Sequence, residues 1–309
     1  MENKSPLVSV VIITYNSAKT VLETLDSVYN QTYKNIELIV SDDCSSDDTV
    51  SLCQEWLAKH SERFVFSSLV TSNTNTGVAP NLNRGILKSS GVWIKSLAGD
   101  DRLKDNCIEA FVSFVEKEKC EFCICRLALF SEDGDVSQKE KKTYDRYYKS
   151  IKGNSKEQLK SICIKYTFPG PGFFYSRKIY DSIGGFDEKY PFWEEFPFVY
   201  NLLNRGVCAY ALDLDLVEYR VSGSSLCRSD GKISKGAALY FNDYRNVFYD
   251  IRVRQLLKYL KLFDLLEQFI EIEKRHACLT NNEVKLFVLK ILSLFSLNHW
   301  VERIKRFLS

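Results

Sequence analysis

Short apolar runs alternate with helical patterns through the first hundred residues, and this alternation constrains the fold more than any other feature of the chain. Between the first two runs, Val21, Leu25 and Val28 recur at helical spacing. Such repeats are typical of βαβ units, in which a helix returns the chain so that successive strands run parallel. The sequence therefore predicts an α/β fold with a mostly parallel sheet. The predicted strands are Leu7–Ile13, Ile36–Val40, Phe64–Val70 and Val92–Leu97.

The composition argues against a nucleic-acid partner and favours a cytoplasmic location. The 309 residues contain 42 Lys and Arg against 40 Asp and Glu, a net charge of +2. This balance gives no basic field of the kind that binds nucleic acid, so we expect no nucleic-acid partner. Ten cysteines without an apolar leader at the start of the chain favour reduced thiols and a cytoplasmic location.

Two pairs of adjacent carboxylates follow predicted strands. Asp42-Asp43 comes after the second strand and Asp100-Asp101 after the fourth. In open α/β sheets, ligands bind in the crevice at the carboxyl ends of the strands. Mg²⁺ takes oxygen ligands, usually one or two carboxylates together with substrate phosphates. The two pairs together predict a site for a metal-bound nucleotide.

The second half of the chain has a different pattern. Ser131–Lys160 is charged and lacks a clear period, which predicts a surface excursion. Gly184–Glu188 is a sharp turn, and Glu194-Glu195 follows it at the start of a helical pattern. From about Lys235 onward the pattern is helical again. We predict one domain over residues 1–230 and a C-terminal helical region over residues 231–309.

Several stretches, taken in order, resemble family 2 inverting glycosyltransferases of the GT-A fold. They are Val8–Asn16, Asn30–Tyr33, Asp42–Thr49 and the later acidic pair. The resemblance covers about residues 5–225. It implies a Rossmann-like, mostly parallel central sheet flanked by helices, with a C-terminal helical extension. It also implies a nucleotide-binding half over about residues 1–130 and an acceptor half over about residues 131–230.

The resemblance implies a nucleotide site at the ends of the first two strands. Thr14, Tyr15 and Asn16 lie in the turn that cradles the base and the ribose in such enzymes. Asp43, with Asp42 beside it, matches the carboxylate that accepts a hydrogen bond from the uracil ring, a role that suits an acceptor-only group. The alternative is that these acids merely favour the start of the helix that follows.

A loop and a helix near the diphosphate are implied for the stretch that contains Asn75, Gly77 and Arg84. Here the sequence departs from the commonest pattern, because Leu82 stands where most relatives have Arg. Arg84 either replaces part of that charge or is an ordinary surface Arg on a helix.

The implied metal site also departs from the commonest pattern. Ala98-Gly99-Asp100-Asp101 stands where the family most often has Asp-Ala-Asp-Asp. Asp100 matches the acid that binds the metal of the nucleotide complex directly, and Asp101 is the second candidate ligand. One strong protein ligand with diphosphate oxygens and water is sufficient for Mn²⁺ or Mg²⁺. Ser222 stands where many relatives carry a His near the metal.

The resemblance places the catalytic base after the Gly-Gly-Phe-Asp turn. Inverting transfer needs a carboxylate that accepts the proton of the acceptor hydroxyl during in-line attack. Relatives usually have Glu-Asp at this point, and this chain has Glu194-Glu195. We expect Glu195 to be the base, with Glu194 as the other candidate. The alternative is that both acids only stabilise the first turn of a helix.

These features predict a metal-dependent inverting glycosyltransferase. It is expected to move a hexose or N-acetylhexosamine from a UDP-sugar to a hydroxyl of a saccharide acceptor, lipid-linked as in capsule or O-antigen synthesis. A non-catalytic sugar-nucleotide-binding protein is the alternative. A Rossmann dehydrogenase is disfavoured because no Gly-x-Gly-x-x-Gly follows the first strand. The sequence does not determine the donor sugar, the acceptor, the linkage or the oligomeric state.

The C-terminal helical region leaves two interpretations open. Val284–Leu297 is apolar on most of its circumference, with Lys285 and Lys290 interrupting it. Such a helix either lies on a membrane surface, which would place the protein peripherally at the inner face of the cell membrane, or packs on the domain or on a second subunit.

Overall fold

The computed structural model describes residues 5–132, 134–149, 151–221, 235–259, 262–280, 285 and 288–289. The chain divides into two compact units. The first comprises residues up to 159 together with 167–222, and the second comprises 160–166 together with the described residues after 223.

A single eight-stranded sheet forms the centre of the first unit, within the residues that the structure describes. Its strand order is β3-β2-β1-β4-β7-β6-β8-β5. The first four strands in this order, β3, β2, β1 and β4, run parallel to one another. β7 is antiparallel to both of its neighbours, and β6 and β8 are parallel to each other. The strands are β1 Val8–Thr14, β2 Ile36–Asp42, β3 Phe66–Thr71, β4 Trp93–Ala98, β5 Arg102–Leu103, β6 Phe122–Phe130, β7 Phe173–Ser176 and β8 Tyr210–Arg220.

Helices flank this sheet and explain the continuous apolar runs of its central strands. A parallel strand with helices on both faces is buried on both sides, so it contains few polar positions. In β1, Val8, Val10 and Ile12 are fully buried, as is the intervening Val11. The helices of the first unit are α1 Val21–Tyr29, α2 Thr49–His60, α3 Val78–Leu87, α4 Cys107–Glu118, α5 Gln138–Lys149, α6 Ser155–Ile164, α7 Arg177–Ile183 and α8 Glu195–Asn204, of which α6 ends in the second unit.

The predicted α/β fold is confirmed, and the charged segment that follows β6 contains helices that the sequence did not indicate. Ser131–Lys160, predicted from its charge and its lack of a clear period to be a surface excursion, contains α5 and the start of α6. The helical spacing of the tyrosines in α5 is hard to recognise in the sequence, because most of the neighbouring residues are charged. Tyr144 and Tyr148, four residues apart, lie on one face of α5, and Tyr148 is buried.

The amino-terminal edge of the sheet contains a buried carboxylate, Glu37 of β2. Its oxygens accept four hydrogen bonds, from Ser9 Oγ (2.5 Å), Ser90 N–H (2.5 Å), Ser90 Oγ (3.0 Å) and Gly91 N–H (2.6 Å). Burial raises the pKa of Glu37, but these donors outweigh burial and the pKa lies below its ordinary value. The carboxylate thus ties β1, β2 and the turn before β4 together.

The second unit is helical in its described part, as predicted. It contains α9 Lys235–Val247, a π turn Phe248–Arg252, α10 Val253–Lys258 and α11 Leu262–Leu279. Phe248, Leu256 and Ile272 form its core cluster. Among the described helices of the whole chain, none has the length and apolar character needed to cross a bilayer. Most of Val284–Leu297 lies outside the described residues, so its membrane contact stays a prediction.

Candidate active site

Two turns at the carboxyl ends of β1 and β2 are locked together by side chains. Thr14 Oγ1 donates to Asp42 Oδ2 (2.7 Å), and Asp42 also accepts from Ser45 N–H and Ser45 Oγ. Asn16 has a left-handed φ of 52° and accepts from Ser46 N–H at 2.8 Å. Tyr15 between them keeps half of its surface exposed. The structure therefore brings the predicted base-and-ribose residues to one rigid turn.

Asp43 occupies the same edge and is saturated by hydrogen bonds. Thr76 contributes its N–H (2.8 Å) and Oγ1 (2.6 Å), Gly77 its N–H (2.7 Å) and Arg84 its Nη2 (2.9 Å). A carboxylate has about four lone-pair positions. Capping of α2 is therefore not what holds Asp43, since its donors come from the loop and helix that follow β3. Thr76 was missed by sequence reasoning.

Arg84 points toward Asp43 rather than into solvent. Besides its ion pair with Asp43, its Nη2 donates to Asn81 Oδ1 at 2.9 Å. Gly77 is buried with a φ of 98°, and a Cβ there would meet Pro191 at 2.7 Å. Asn75 is exposed on the loop that leads into α3. Gly77 thus allows the Asp43 loop to lie directly against the segment that precedes Glu194.

The acid pair after β4 is held by the last residue of β8. Arg220 N–H donates to Asp101 Oδ1 (2.9 Å), and Arg220 Nε donates to the Asp100 carbonyl (2.8 Å). The guanidinium charge is itself paired with Glu23 and Glu132. Arg220 was not identified from the sequence, because 120 residues separate it from the acids that it fixes.

Burial gives this acid pair unusual electrostatics. Desolvation raises the pKa of Asp100, and desolvation together with the neighbouring Asp100 carboxylate raises the pKa of Asp101 well above its usual range. Asp101 Oδ2 is buried and has no hydrogen-bond partner among the described residues. Two adjacent acids with one unsatisfied oxygen fit a divalent cation that also takes ligands from phosphate. The described residues contain no group of three or more His, Cys, Asp or Glu around one point, and Ser222 lies outside them.

Glu195 lies at the first position of α8, with Glu194 at the N-cap. The Gly170 N–H donates to Glu195 Oε1 at 3.0 Å. Burial, and next the charge of Glu194, raise the pKa of Glu195 well above that of an ordinary Glu. A partly buried carboxylate of raised pKa, oriented by one backbone donor, has the properties of a general base.

A buried lysine fixes the turn that orients the candidate base. Lys95 of β4 is fully buried, and its Nζ donates to the carbonyls of Ser96 (3.0 Å) and Pro171 (2.5 Å). Pro171 belongs to the 3₁₀ turn Gly170–Gly172, which also supplies the donor to Glu195. Lys95 was missed, although a lone basic residue in an otherwise apolar strand was a detectable signal.

Comparisons with known proteins identify the family of this chain and support its fold. The family model for glycosyl transferase family 2 matches residues 9–184. EpsE of Bacillus subtilis (strain 168), described as a glycosyltransferase, is 35% identical over 117 residues, or 38% of this chain and 41% of that protein. TuaG of the same organism, described as a glycosyltransferase of teichuronic acid biosynthesis, is 26% identical over 240 residues, or 76% of this chain and 87% of that protein.

Other matches are shorter or structural. A Campylobacter jejuni protein named GalNAc(5)-diNAcBac-PP-undecaprenol beta-1,3-glucosyltransferase is 34% identical over 107 residues, 35% of this chain and 34% of that protein. The crystal structure of S. aureus TarS 1–349 in complex with UDP-GlcNAc matches with a TM-score of 0.56 at 14% identity, covering 92% of this chain and 90% of that one. With the sheet and site described above, the chain has the GT-A fold and belongs to glycosyl transferase family 2.

Proposed function

We propose that this glycosyltransferase moves a hexose or N-acetylhexosamine from a UDP-sugar to a hydroxyl group of a saccharide, with inversion at the anomeric carbon. Glu195 accepts the proton of the acceptor hydroxyl while that oxygen forms a bond to the anomeric carbon. The bond between this carbon and the diphosphate oxygen breaks, and UDP leaves. The observation that carries the proposal is the raised pKa of an oriented Glu195 carboxylate beside the carboxyl edge of a GT-A sheet.

The nucleotide half of the site supports a UDP-sugar donor. Thr14, Tyr15 and Asn16 form one fixed turn beside Asp42 and Asp43, and a half-exposed Tyr15 offers a face for the base. A uracil N–H that pairs with Asp43 has to replace one of its four present donors. Arg84, at the surface end of this group, is the donor that can move with least change to the backbone.

Asp100 and Asp101 are the proposed ligands of Mn²⁺ or Mg²⁺. When bound, the cation neutralises charge on the departing diphosphate as a Lewis acid. The unsatisfied Asp101 Oδ2 and the raised pKa of both acids support this assignment, because a divalent cation compensates two neighbouring buried carboxylates.

Glu195→Gln tests the base directly. We expect turnover, measured as UDP release from UDP-GlcNAc and other UDP-sugars with Mn²⁺, to fall about 10²–10⁴-fold, the usual contribution of a general base. Glu194→Gln is the matched variant, one residue away, and is expected to retain most activity.

Calorimetric titration with UDP separates catalysis from binding in the same variants. UDP affinity should be unchanged in Glu195→Gln. If the wild type binds UDP but releases none from any UDP-sugar with metal and acceptor, the protein is a sugar-nucleotide-binding protein and the proposal fails. Full activity of Glu195→Gln with loss in Glu194→Gln would assign the base to Glu194.

We also propose that the acceptor is a lipid-linked saccharide of capsule or O-antigen type, used at the inner face of the membrane. The names of TuaG and of the Campylobacter relative, which refer to teichuronic acid biosynthesis and to a saccharide on PP-undecaprenol, support this acceptor class. A screen of UDP-sugars against lipid-linked acceptors, scored by the mass of the extended product, tests it. Extension of only water-soluble free sugars would contradict it.

A further inference from the structure

A cavity of about 280 Å³ lies in the first unit, beside the turn that orients Glu195. Its walls are residues 125–129 of β6, the tyrosine face of α5, Asp215 of β8 and Pro169. This volume is just below the usual range for small-molecule sites, about 300–1,000 Å³. It suits one sugar ring better than a nucleotide.

The β6–β8 ladder is irregular at this cavity. Cys125 pairs with Leu212, but Arg126 pairs with Asp215, so two extra residues of β8 are inserted at this point. Bulges are common beside active sites, where they redirect a side chain. Here the insertion places both Asp213 and Asp215 against the Arg126 guanidinium, at 3.2 Å and 3.1 Å.

The cavity wall combines balanced charges with aromatic rings. Arg126 pairs with Asp213 and Asp215, and its guanidinium carbon lies 5.9 Å from the centre of the Tyr148 ring. Lys141 and Asp145 add one charge of each sign to the lining. Sugar hydroxyls can donate to carboxylates and accept from guanidinium groups, while C–H faces of the ring pack on tyrosines. The balance of charge favours a neutral sugar over an anionic one.

The cavity borders the turn that orients the candidate base. Pro169 lines the cavity, and the next residue, Gly170, donates its N–H to Glu195 Oε1. Lys95 fixes the same turn through the Pro171 carbonyl. β6 also ends at the edge where Arg220 holds the acid pair, because Phe130 of β6 pairs with Arg220. A sugar in the cavity would therefore contact Pro169, next to the turn that orients Glu195, and the strand β6 whose last residue pairs with Arg220.

We propose that this cavity is the acceptor subsite and that it binds an uncharged pyranose. The inference rests on the proposed transferase function and deepens it. Tyr144, Tyr148 and the carboxylate of Asp215 are the residues that determine acceptor specificity.

Saturation-transfer NMR on the full chain tests the subsite with no donor present. The probes are the methyl β-glycosides of glucose, galactose and N-acetylglucosamine, with methyl β-glucuronoside as the anionic comparison. We expect the wild type to bind at least one neutral glycoside more tightly than the glucuronoside. Tyr144→Ala and the milder Asp215→Asn should each weaken that binding about tenfold, the loss of one contact of ordinary strength.

Tyr210→Ala is the matched control, because Tyr210 is an exposed tyrosine of β8 that does not line the cavity. It should bind the probe as the wild type does. Three results overturn the inference: no neutral glycoside binds, the glucuronoside binds best, or both cavity variants bind like the control. Calorimetry with UDP on the same samples reports on the donor site, so failure of the subsite and failure of the transferase proposal are separate outcomes.

Discussion

The two edges of the parallel sheet hold buried carboxylates in opposite states. At the amino-terminal edge, four donors surround Glu37 and its pKa is lowered. At the carboxyl edge, Asp101 retains an unsatisfied oxygen and its pKa is raised, and Glu195 has a raised pKa with one described donor. All three side chains are carboxylic acids. The number of donors therefore distinguishes a carboxylate that stabilises the fold from one available for chemistry.

Asp43 shows that the edge at which a carboxylate lies does not by itself determine whether its oxygens are fully hydrogen-bonded. It lies at the carboxyl edge, yet it is as fully hydrogen-bonded as Glu37. The difference lies in the donors, since those of Asp43 come from a surface loop and from the partly exposed Arg84. We therefore place Asp43 between the two states, as an acid whose partners can be exchanged for a ligand.

The largest effect on stability is expected from Glu37→Gln. The substitution replaces one acceptor oxygen with an NH₂ group and removes the charge while the four donors stay buried, so the free energy of unfolding should fall by about 3 kcal/mol. Urea unfolding measures it, and UDP affinity should be unchanged. Glu55→Gln, on the exposed face of α2, is the control and should be neutral. If Glu37→Gln changed the free energy of unfolding as little as Glu55→Gln does, the carboxylate at the amino-terminal edge would not be a stabilising group, and the comparison between the two edges would fail.

The stability difference between wild type and Glu37→Gln should depend on pH. Because the folded pKa of Glu37 is lowered, its contribution is complete above the pKa of an unfolded Glu, about 4.3, and is lost as pH falls through the folded value. Urea unfolding between neutral and acidic pH should show the difference shrinking below about pH 4. A difference that stays constant to low pH would contradict the role of the ionised carboxylate.

Asp101→Asn should change the free energy of unfolding in the opposite direction from Glu37→Gln, and by a smaller amount. The folded pKa of Asp101 is raised, so the stability associated with this group is present at low pH and is lost as pH rises through that pKa. In metal-free buffer at neutral pH, removing the charge should add about 1 kcal/mol to the free energy of unfolding. Mn²⁺ should then raise the melting temperature of the wild type by more than that of the variant. Destabilisation by Asp101→Asn without metal would contradict this assignment.

The sequence predicted the elements that local patterns encode. The apolar runs of β1, β2 and β4 form strands as predicted. The two acid pairs lie at the carboxyl ends of β2 and β4, since a strand and the residues after it are adjacent in the chain. The helix α5 was missed because its charged residues hide the spacing of Tyr144 and Tyr148.

The partners of the acids were not predictable, because they are distant in sequence. Asp43 is held by Thr76 and Arg84, 33 and 41 residues later, and Lys95 reaches Pro171 across 76 residues. Such contacts are set by tertiary packing, which no periodicity records. Whether an acid is saturated or available is therefore a property of the fold and not of the motif.

The hydrogen bond from Lys95 to the Pro171 carbonyl also limits how the chain can be recombined. A chimera that takes residues 131–230 from a relative must bring a carbonyl group to the same point, or it removes one of the two carbonyl acceptors of the buried Lys95 amine. Exchange of acceptor preference between such enzymes is therefore expected to succeed when the graft keeps Gly170–Gly172 and replaces only the chain around it.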